Sequence, residues 1–314
     1  MLNIYFLFLI KDKVHNINLW KKYFKNSKNY KIIIHPKNKE KIVYIDKNEI
    51  VLNPIETKWG DISLVDAEIN LLKKALEYKN KNSYYILLSG DSLPLSSYKE
   101  LYNFLGKQSL SFFNYRDYIL GNRRYKNKFK FSSQFFCVNF KDANIVVNNY
   151  EKYKNKFINF KEMYSPDETF MLSTLYYENK LYKFIDRKII VTTMFYYRNT
   201  IQEIDSYVKS YNNIMKFLYE LKESNNLSDI RKETFHSLKK FKEYGISHPY
   251  LFLYNEKLIK SYKNKFKESF FIRKVTSNED DKNILKYENL IYLKKIIEKK
   301  NYKKIIDFIE NFFK

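Results

Sequence analysis

The sequence predicts an α/β fold built on a mostly parallel sheet, and three observations carry that prediction. The chain opens as strand, helix, strand: the apolar run Ile4 to Ile10, an amphipathic stretch from Asn16 to Phe24, and a second run from Tyr30 to Ile34 ended by His35-Pro36. A helix from Ser63 to Tyr78, with Leu64, Val65, Ala67, Leu71, Leu72, Ala75 and Leu76 at helical spacing, then leads into a strand from Tyr84 to Leu88. That strand runs into Ser89-Gly90-Asp91-Ser92-Leu93-Pro94, a turn at its carboxyl end, the edge at which open α/β sheets bind nucleotides.

The remaining elements follow the same patterns. Ile42 to Ile45 and Ile50 to Leu52 read as short extended segments, and Ser111 to Lys130 is irregular, with Arg116, Arg123 and Arg124 among aromatics. Phe135 to Phe140 returns as a strand, Ala143 to Tyr150 as a helix, and Ile189 to Tyr197 as a strand. From 201 to 244, Ile204, Val208, Tyr211, Ile214, Met215, Leu218 and Leu221 recur at helical spacing, which predicts an inserted helical hairpin. A helix near Glu256 to Phe266 and the segment Phe270 to Lys274 follow, and helical periodicity resumes from Ile284 to Lys314. The expected organisation is one domain over 1–283 and a helical extension over 284–314. The apolar positions of that extension, among them Leu290, Leu293, Ile297 and Phe308, suit covering the protein's own core or pairing with a second copy.

Composition narrows the function classes. With 314 residues, 45% apolar and 18% aromatic, the chain can build a real core. The excess of 58 Lys+Arg over 35 Asp+Glu gives +23, but the charge is scattered rather than gathered into a basic arm, so no nucleic-acid partner is expected. Cys137 is the single cysteine, which excludes an intramolecular disulfide in this sequence and suits a reducing compartment. The run Ile4 to Ile10 is too short to span a bilayer and has no basic residues ahead of it, so a buried strand is expected there rather than a signal peptide. Five glycines and five prolines are few, and they sit in Lys-Trp-Gly-Asp, Ser-Gly-Asp-Ser-Leu-Pro and Ser-Pro-Asp-Glu among other places where substitutes fit badly.

Ser165-Pro166-Asp167-Glu168 stands just ahead of the apolar run Phe170 to Leu175. Serine and proline fit an N-cap and first helical position, which puts both carboxylates in a first helical turn where the dipole favours negative charge.

Taken in order, eight segments resemble one family: Phe6 to Ile10, Ile32 to His35, Lys58 to Glu68, Leu87 to Leu95, Ser133-Gln134-Phe135-Phe136, Ser165 to Glu168, Ser247-His248-Pro249 and Phe270 to Lys274. They are similar to the core-2/I-branching β-1,6-N-acetylglucosaminyltransferases, a family that takes in peptide O-xylosyltransferases and plant relatives. The resemblance implies a GT-A-type, Rossmann-like nucleotide-sugar fold and an inverting transfer without a metal ion, so no cofactor is expected beyond a UDP-sugar donor and a glycan or glycoconjugate acceptor. It gives Glu168 the role of base toward the acceptor hydroxyl and leaves Asp167 to cap or orient. Lys274, with Arg273 beside it, matches the diphosphate contact, and Arg198 is the candidate for a second one. His35 and Tyr84 are expected at the nucleoside pocket, while Arg123, Arg124, Trp59 and Asp91 are expected toward the acceptor. Relatives often carry an aspartate two residues after the histidine, where this chain has Lys37.

The sequence departs from animal relatives by having no membrane anchor, no disulfides and the insertion at 201–244, so the expected location is the cytoplasm of a bacterium or of a virus-infected cell. The expected function is transfer of a sugar, N-acetylglucosamine first, from a UDP-sugar. Alternatives are the same fold with UDP-xylose or UDP-glucuronic acid, a degenerate family member without activity, and a basic nucleic-acid-binding protein.

Overall fold

The structure is a computed structural model that describes residues 1–11, 13–38, 45, 49–116, 129–158, 165–192, 251–254, 256–276 and 284–285. In chain order the elements are β1 Asn3–Ile10, α1 Ile17–Phe24, β2 Tyr30–Pro36, β3 Ile50–Val51, α2 Ile62–Leu76, β4 Ser83–Ser89, β5 Leu93–Pro94 and α3 Tyr98–Leu105. Then come β6 Phe112–Phe113, β7 Tyr115–Arg116, β8 Phe131–Ser132, β9 Cys137–Asn139, α4 Phe140–Asn148, α5 Tyr150–Ile158, the 3-10 turn Pro166–Glu168, α6 Phe170–Glu178, β10 Ile185–Asp186 and β11 Ile190–Thr192. The last are β12 Leu251–Leu253, α7 Glu256–Lys265, β13 Phe271–Arg273, β14 Val275–Thr276 and β15 Ile284–Leu285.

The chain divides into two compact units, one of Met1–Val191 with Glu268–Arg273, the other of Thr192–Lys267 with Lys274–Lys314. That division differs from the sequence-based boundary at 283. The insertion at 201–244 lies outside the described residues, as do Ser247-His248-Pro249 and all of the tail but Ile284–Leu285. In the second unit, β12 pairs in parallel with β14 and β15.

The first unit is organised by a seven-stranded sheet in the order β10-β6-β9-β4-β1-β2-β3. β1 pairs in parallel with β2 on one side and with β4 on the other, while β9 runs antiparallel to β4 and β6. The expected mostly parallel α/β fold is therefore present, and it is consistent with a GT-A-like architecture. Both faces of β1 are covered, which is why its sequence reads as a continuous apolar run instead of alternating. Phe6 and Phe8 face α1, meeting Phe24 and Trp20 at ring-centroid distances of 5.0 and 5.1 Å. Tyr5 points to the other face, where it stacks on Tyr85 and meets Tyr78 at the end of α2.

The chain steps outward from β1 through β2 to β3, then returns by α2 to lay β4 on the opposite side of β1. The gap between the carboxyl ends of β1 and β4 is thus a topological switch point, the standard place for a ligand crevice in such sheets. Gly90 closes one wall of it. A Cβ at this residue would stand 2.4 Å from the Lys13 carbonyl oxygen and 3.3 Å from Ile10 Cγ2, and the Gly90 carbonyl accepts the His15 N–H at 2.7 Å.

Two helices went unread in the sequence. α3 carries a complete capping box, with the Ser97 and Glu100 side chains each bonded to the other's backbone N–H, and α5 continues directly from α4 after Asn149. Gly90→Ala is expected to destabilise the protein by about 1–3 kcal/mol through overpacking against the Lys13 carbonyl, lowering Tm by several degrees in a thermal melt. Gly106→Ala, where the nearest atom stands at 3.2 Å, serves as the milder comparison.

Candidate active site

The site grows from the turn after β4. Ser92 Oγ accepts the Ser89 N–H at 3.1 Å and lies 3.0 Å from Ser89 Oγ, which itself donates to the Asp91 carboxylate. Trp20, fully buried in α1, donates its indole N–H to the Ser92 carbonyl at 3.0 Å. The turn is therefore fixed from within and from beneath. β5 continues it and pairs antiparallel with β13, Phe271 opposite Pro94 and Ile272 opposite Leu93. One step further along the ladder, Arg273 arrives beside Asp91, with Nε 4.0 Å from Oδ1 and both side chains largely buried. Its guanidinium carbon lies 4.0 Å from the centre of the Phe135 ring, a cation–π contact. Burial lowers the guanidinium's pKa, and Asp91, Glu168 and Asp167 pull it back up.

Ser165 to Glu168 departs from its expected form. The acidic pair sits in a separate 3-10 turn closed by Glu168 N–H to Ser165 O at 3.1 Å and Thr169 N–H to Pro166 O at 3.1 Å, and α6 begins only at Phe170. Ser165 makes no side-chain cap bond, and Pro166 holds the first position of the turn. α6 is buried all round from Phe170 to Leu175, Ser173 and Thr174 included, which gives the turn a rigid base.

The expectation that a helix terminus favours the charged form fails at Asp167. Burial, then the neighbouring Glu168, push its carboxyl up to about 6, against the downward pull of the turn's backbone N–H groups and Arg273. Desolvation outweighs one turn of backbone dipole. Glu168 is half-buried. Behind the turn, α2 presents Glu68, only 1% exposed, whose Oε1 accepts the Gln134 amide at 2.9 Å. Burial first and Asp167 second raise the Glu68 carboxyl well above its ordinary range, and the Gln134 bond lowers it in part.

The structure thus brings together Asp91, Asp167, Glu168 and Arg273 from the expected residues, and adds Glu68, Gln134 and Phe135. Glu68 was legible as a carboxylate on the apolar stripe of α2, in line with Leu64, Leu71 and Ala75. His35 lies at the carboxyl end of β2, 1% exposed, with Nε2 accepting the Ile55 N–H at 3.2 Å; burial lowers its pKa, so it stands as a neutral clip on the chain after β3.

Tyr84 stands apart from this group. It occupies the first half of β4, far from the strand's carboxyl end, buried with its hydroxyl donating to the Leu110 carbonyl at 3.2 Å. A strand rises about 3.3 Å per residue, so five residues separate it from the crevice. Trp59 is 86% exposed in the loop ahead of α2, next to Gly60 with φ 71. Lys274 follows β13 with a left-handed φ of 67 and falls in the second unit. Arg123, Arg124 and Arg198 lie outside the described residues. Among the described residues no group of three or more His, Cys, Asp or Glu side chains is arranged to hold a metal ion, and no helix is long and apolar enough to cross a membrane.

The profile of the Core-2/I-Branching enzyme family matches residues 4–192, which include Asp91, Asp167 and Glu168. The chain belongs to that family. Its members are glycosyltransferases that take a nucleotide-sugar donor and a glycan acceptor, so the chemistry of this branching-family enzyme is glycosyl transfer. No curated protein matches the chain. The family match ends before β13, and Arg273 is tied to the site by the β5–β13 ladder instead.

Arg273→Met removes the counter-charge from three carboxylates. The expected loss of stability is about 3 kcal/mol at pH 8, the usual scale for breaking a buried ion pair. Asp167 has a folded-state pKa above its unfolded value, so it weakens the fold as pH rises through about 6. The penalty of the variant should therefore shrink at pH 5, and urea unfolding at the two pH values measures it.

Proposed function

We propose that this branching-family enzyme is an inverting transferase that moves a sugar, N-acetylglucosamine first among the candidates, from a UDP-sugar to a hydroxyl of a glycan or glycoconjugate without a metal ion. The observation that carries the reading is the half-buried Glu168 in a rigid turn, with Arg273 within electrostatic reach, at the carboxyl edge of a mostly parallel sheet.

Single displacement at an anomeric carbon needs one carboxylate near the attacking hydroxyl, on the face opposite the leaving group. Glu168 takes the hydroxyl proton while the acceptor oxygen bonds to the anomeric carbon. The bond to the diphosphate breaks in the same step, and its electron pair leaves with UDP. The growing charge on UDP needs a fixed partner. In this reading Lys274 provides it, with Arg198 as a second ligand, and Arg273 is shared between the diphosphate and the carboxylates that surround it. Asp167 orients the turn. His35 borders the nucleoside pocket, and Trp59, Asp91, Arg123 and Arg124 face the acceptor. The exposed indole of Trp59 offers a flat apolar surface on which a sugar ring can lie. UDP-xylose and UDP-glucuronic acid fit the same chemistry, since selectivity among donors rests on pocket shape. Burial of Cys137, the single cysteine, supports assignment to a reducing compartment.

Thermal shift with UDP, UDP-N-acetylglucosamine, UDP-xylose, UDP-glucuronic acid and UDP-glucose, in EDTA and in manganese, tests donor and metal together. The donor at ~100 times its Kd should add about 2.7 kcal/mol, in EDTA as in manganese. Stabilisation by none of the nucleotides in either condition would refute the transferase reading. Glu168→Gln should keep that shift and lose transfer by about 10²–10⁴-fold, the scale of a general base; normal turnover in the variant would remove Glu168 from its role.

A further inference from the structure

Among the described residues of the first unit two acidic residues, Glu68 and Asp142, are buried, and they are treated differently. Asp142 accepts hydrogen bonds from the Ser111 and Tyr182 hydroxyls, the second at 2.7 Å. Glu68 is more buried, receives one bond from the neutral Gln134 amide, and faces another carboxyl. α2 packs directly on the 3-10 turn, so Glu68 forms the back wall of the acidic pair. Asp167 Oδ1 is buried and has no hydrogen-bond partner among the described residues. Among the described residues none offers Glu68 a cation of its own. On α2, Asp66 is paired outward with Lys154 of α5 at 2.8 Å; on the turn stand Asp167 and Glu168; on β13 stands Arg273, which also serves Asp91. Three carboxylates already share that guanidinium.

We propose that Glu68 is a positioning residue of the site, held in the folded protein as the neutral carboxylic acid so that Asp167 and Glu168 can carry charge beside Arg273. Two facing buried carboxyls do not both ionise readily, and the one farther from the cation keeps the proton. Losing that proton sets a fourth negative charge behind the turn, where repulsion acts on the turn that carries Glu168. Glu68 acts through the turn and touches no substrate.

The test compares the full chain with Glu68→Gln, which copies the neutral acid and keeps the oxygen that accepts from Gln134. Unfolded chains release a glutamate proton near pH 4.3, whereas the folded protein keeps this one. The folding equilibrium constant of the variant relative to wild type should therefore grow about tenfold per pH unit from pH 4.5 upward, until Glu68 ionises in the folded state. A flat ratio, or one that falls with pH, would mean a buried carboxylate and overturn the proposal. Wild-type protein alone gives a second readout: at pH 7 its infrared spectrum should hold a protonated-carboxyl carbonyl band, and absence of that band overturns the proposal whether or not the variant folds. The activity arm rests on the transferase reading. kcat of wild type should decline at high pH as Glu68 gives up its proton, and the variant should lack that limb; the same limb in both proteins overturns the positioning role. If neither protein transfers sugar while the stability ratio still grows with pH, the transferase reading fails and the protonated Glu68 stands.

Discussion

The site depends on two residue pairs of a short antiparallel ladder, Phe271 with Pro94 and Ile272 with Leu93. They bring a segment from the end of the described chain against a turn that follows β4. Through them Arg273 meets Asp91, Asp167 and Glu168. The ladder is held by packing more than by its own bonds: Phe271 is fully buried against Phe6, Trp20 and Tyr23, so the aromatic layer between β1 and α1 also seats β13. Trp20 does this while bonding the Ser92 carbonyl, and one side chain thereby fixes both the strand that carries Arg273 and the turn that carries Asp91.

That aromatic layer accounts for much of an unusual composition. Tyr and Phe together make up most of the aromatic content, and they serve two physical ends. Inside, rings from β1, α1, α3 and β13 pack edge to face and in stacks. Two of the buried tyrosines turn their hydroxyls to backbone carbonyls, Tyr98 at Lys28 and Tyr84 at Leu110. On the surface of α5 and α6, lysines lie over Tyr153, Tyr176 and Tyr177, so part of the large positive charge is spent on local ring contacts.

The fold was legible where periodicity and burial agree. β1 and β4 read as apolar runs because both their faces are covered, and α2 read as a helix because its stripe is long. Of two eight-residue helices, α1 was read from its apolar spacing and α3 was not, though Ser97 and Glu100 mark its start. Glu168, Asp91 and Arg273 were singled out through their motifs, and the structure places them near one another. Glu68 was passed over because a carboxylate within a helix reads as surface unless the stripe it interrupts is traced around it. The distance of Tyr84 from the carboxyl edge was hidden for a different reason. Alternation along a strand tells which face a side chain takes, whereas the distance to the carboxyl edge depends on where the strand ends. The sign of the electrostatics at Asp167 was beyond sequence altogether, since it turns on how much water the packed α2 excludes.

The two tryptophans of the chain fall at opposite extremes of exposure, Trp20 fully enclosed and Trp59 almost wholly in solvent. Their fluorescence is therefore separable without labels. Blue-shifted emission comes from the ring that clamps the Ser92 carbonyl, and red-shifted, quenchable emission comes from the loop ahead of α2. Collisional quenchers silence the second and leave the first, so loosening of the crevice and events at the loop can be followed as two colours from one unmodified protein.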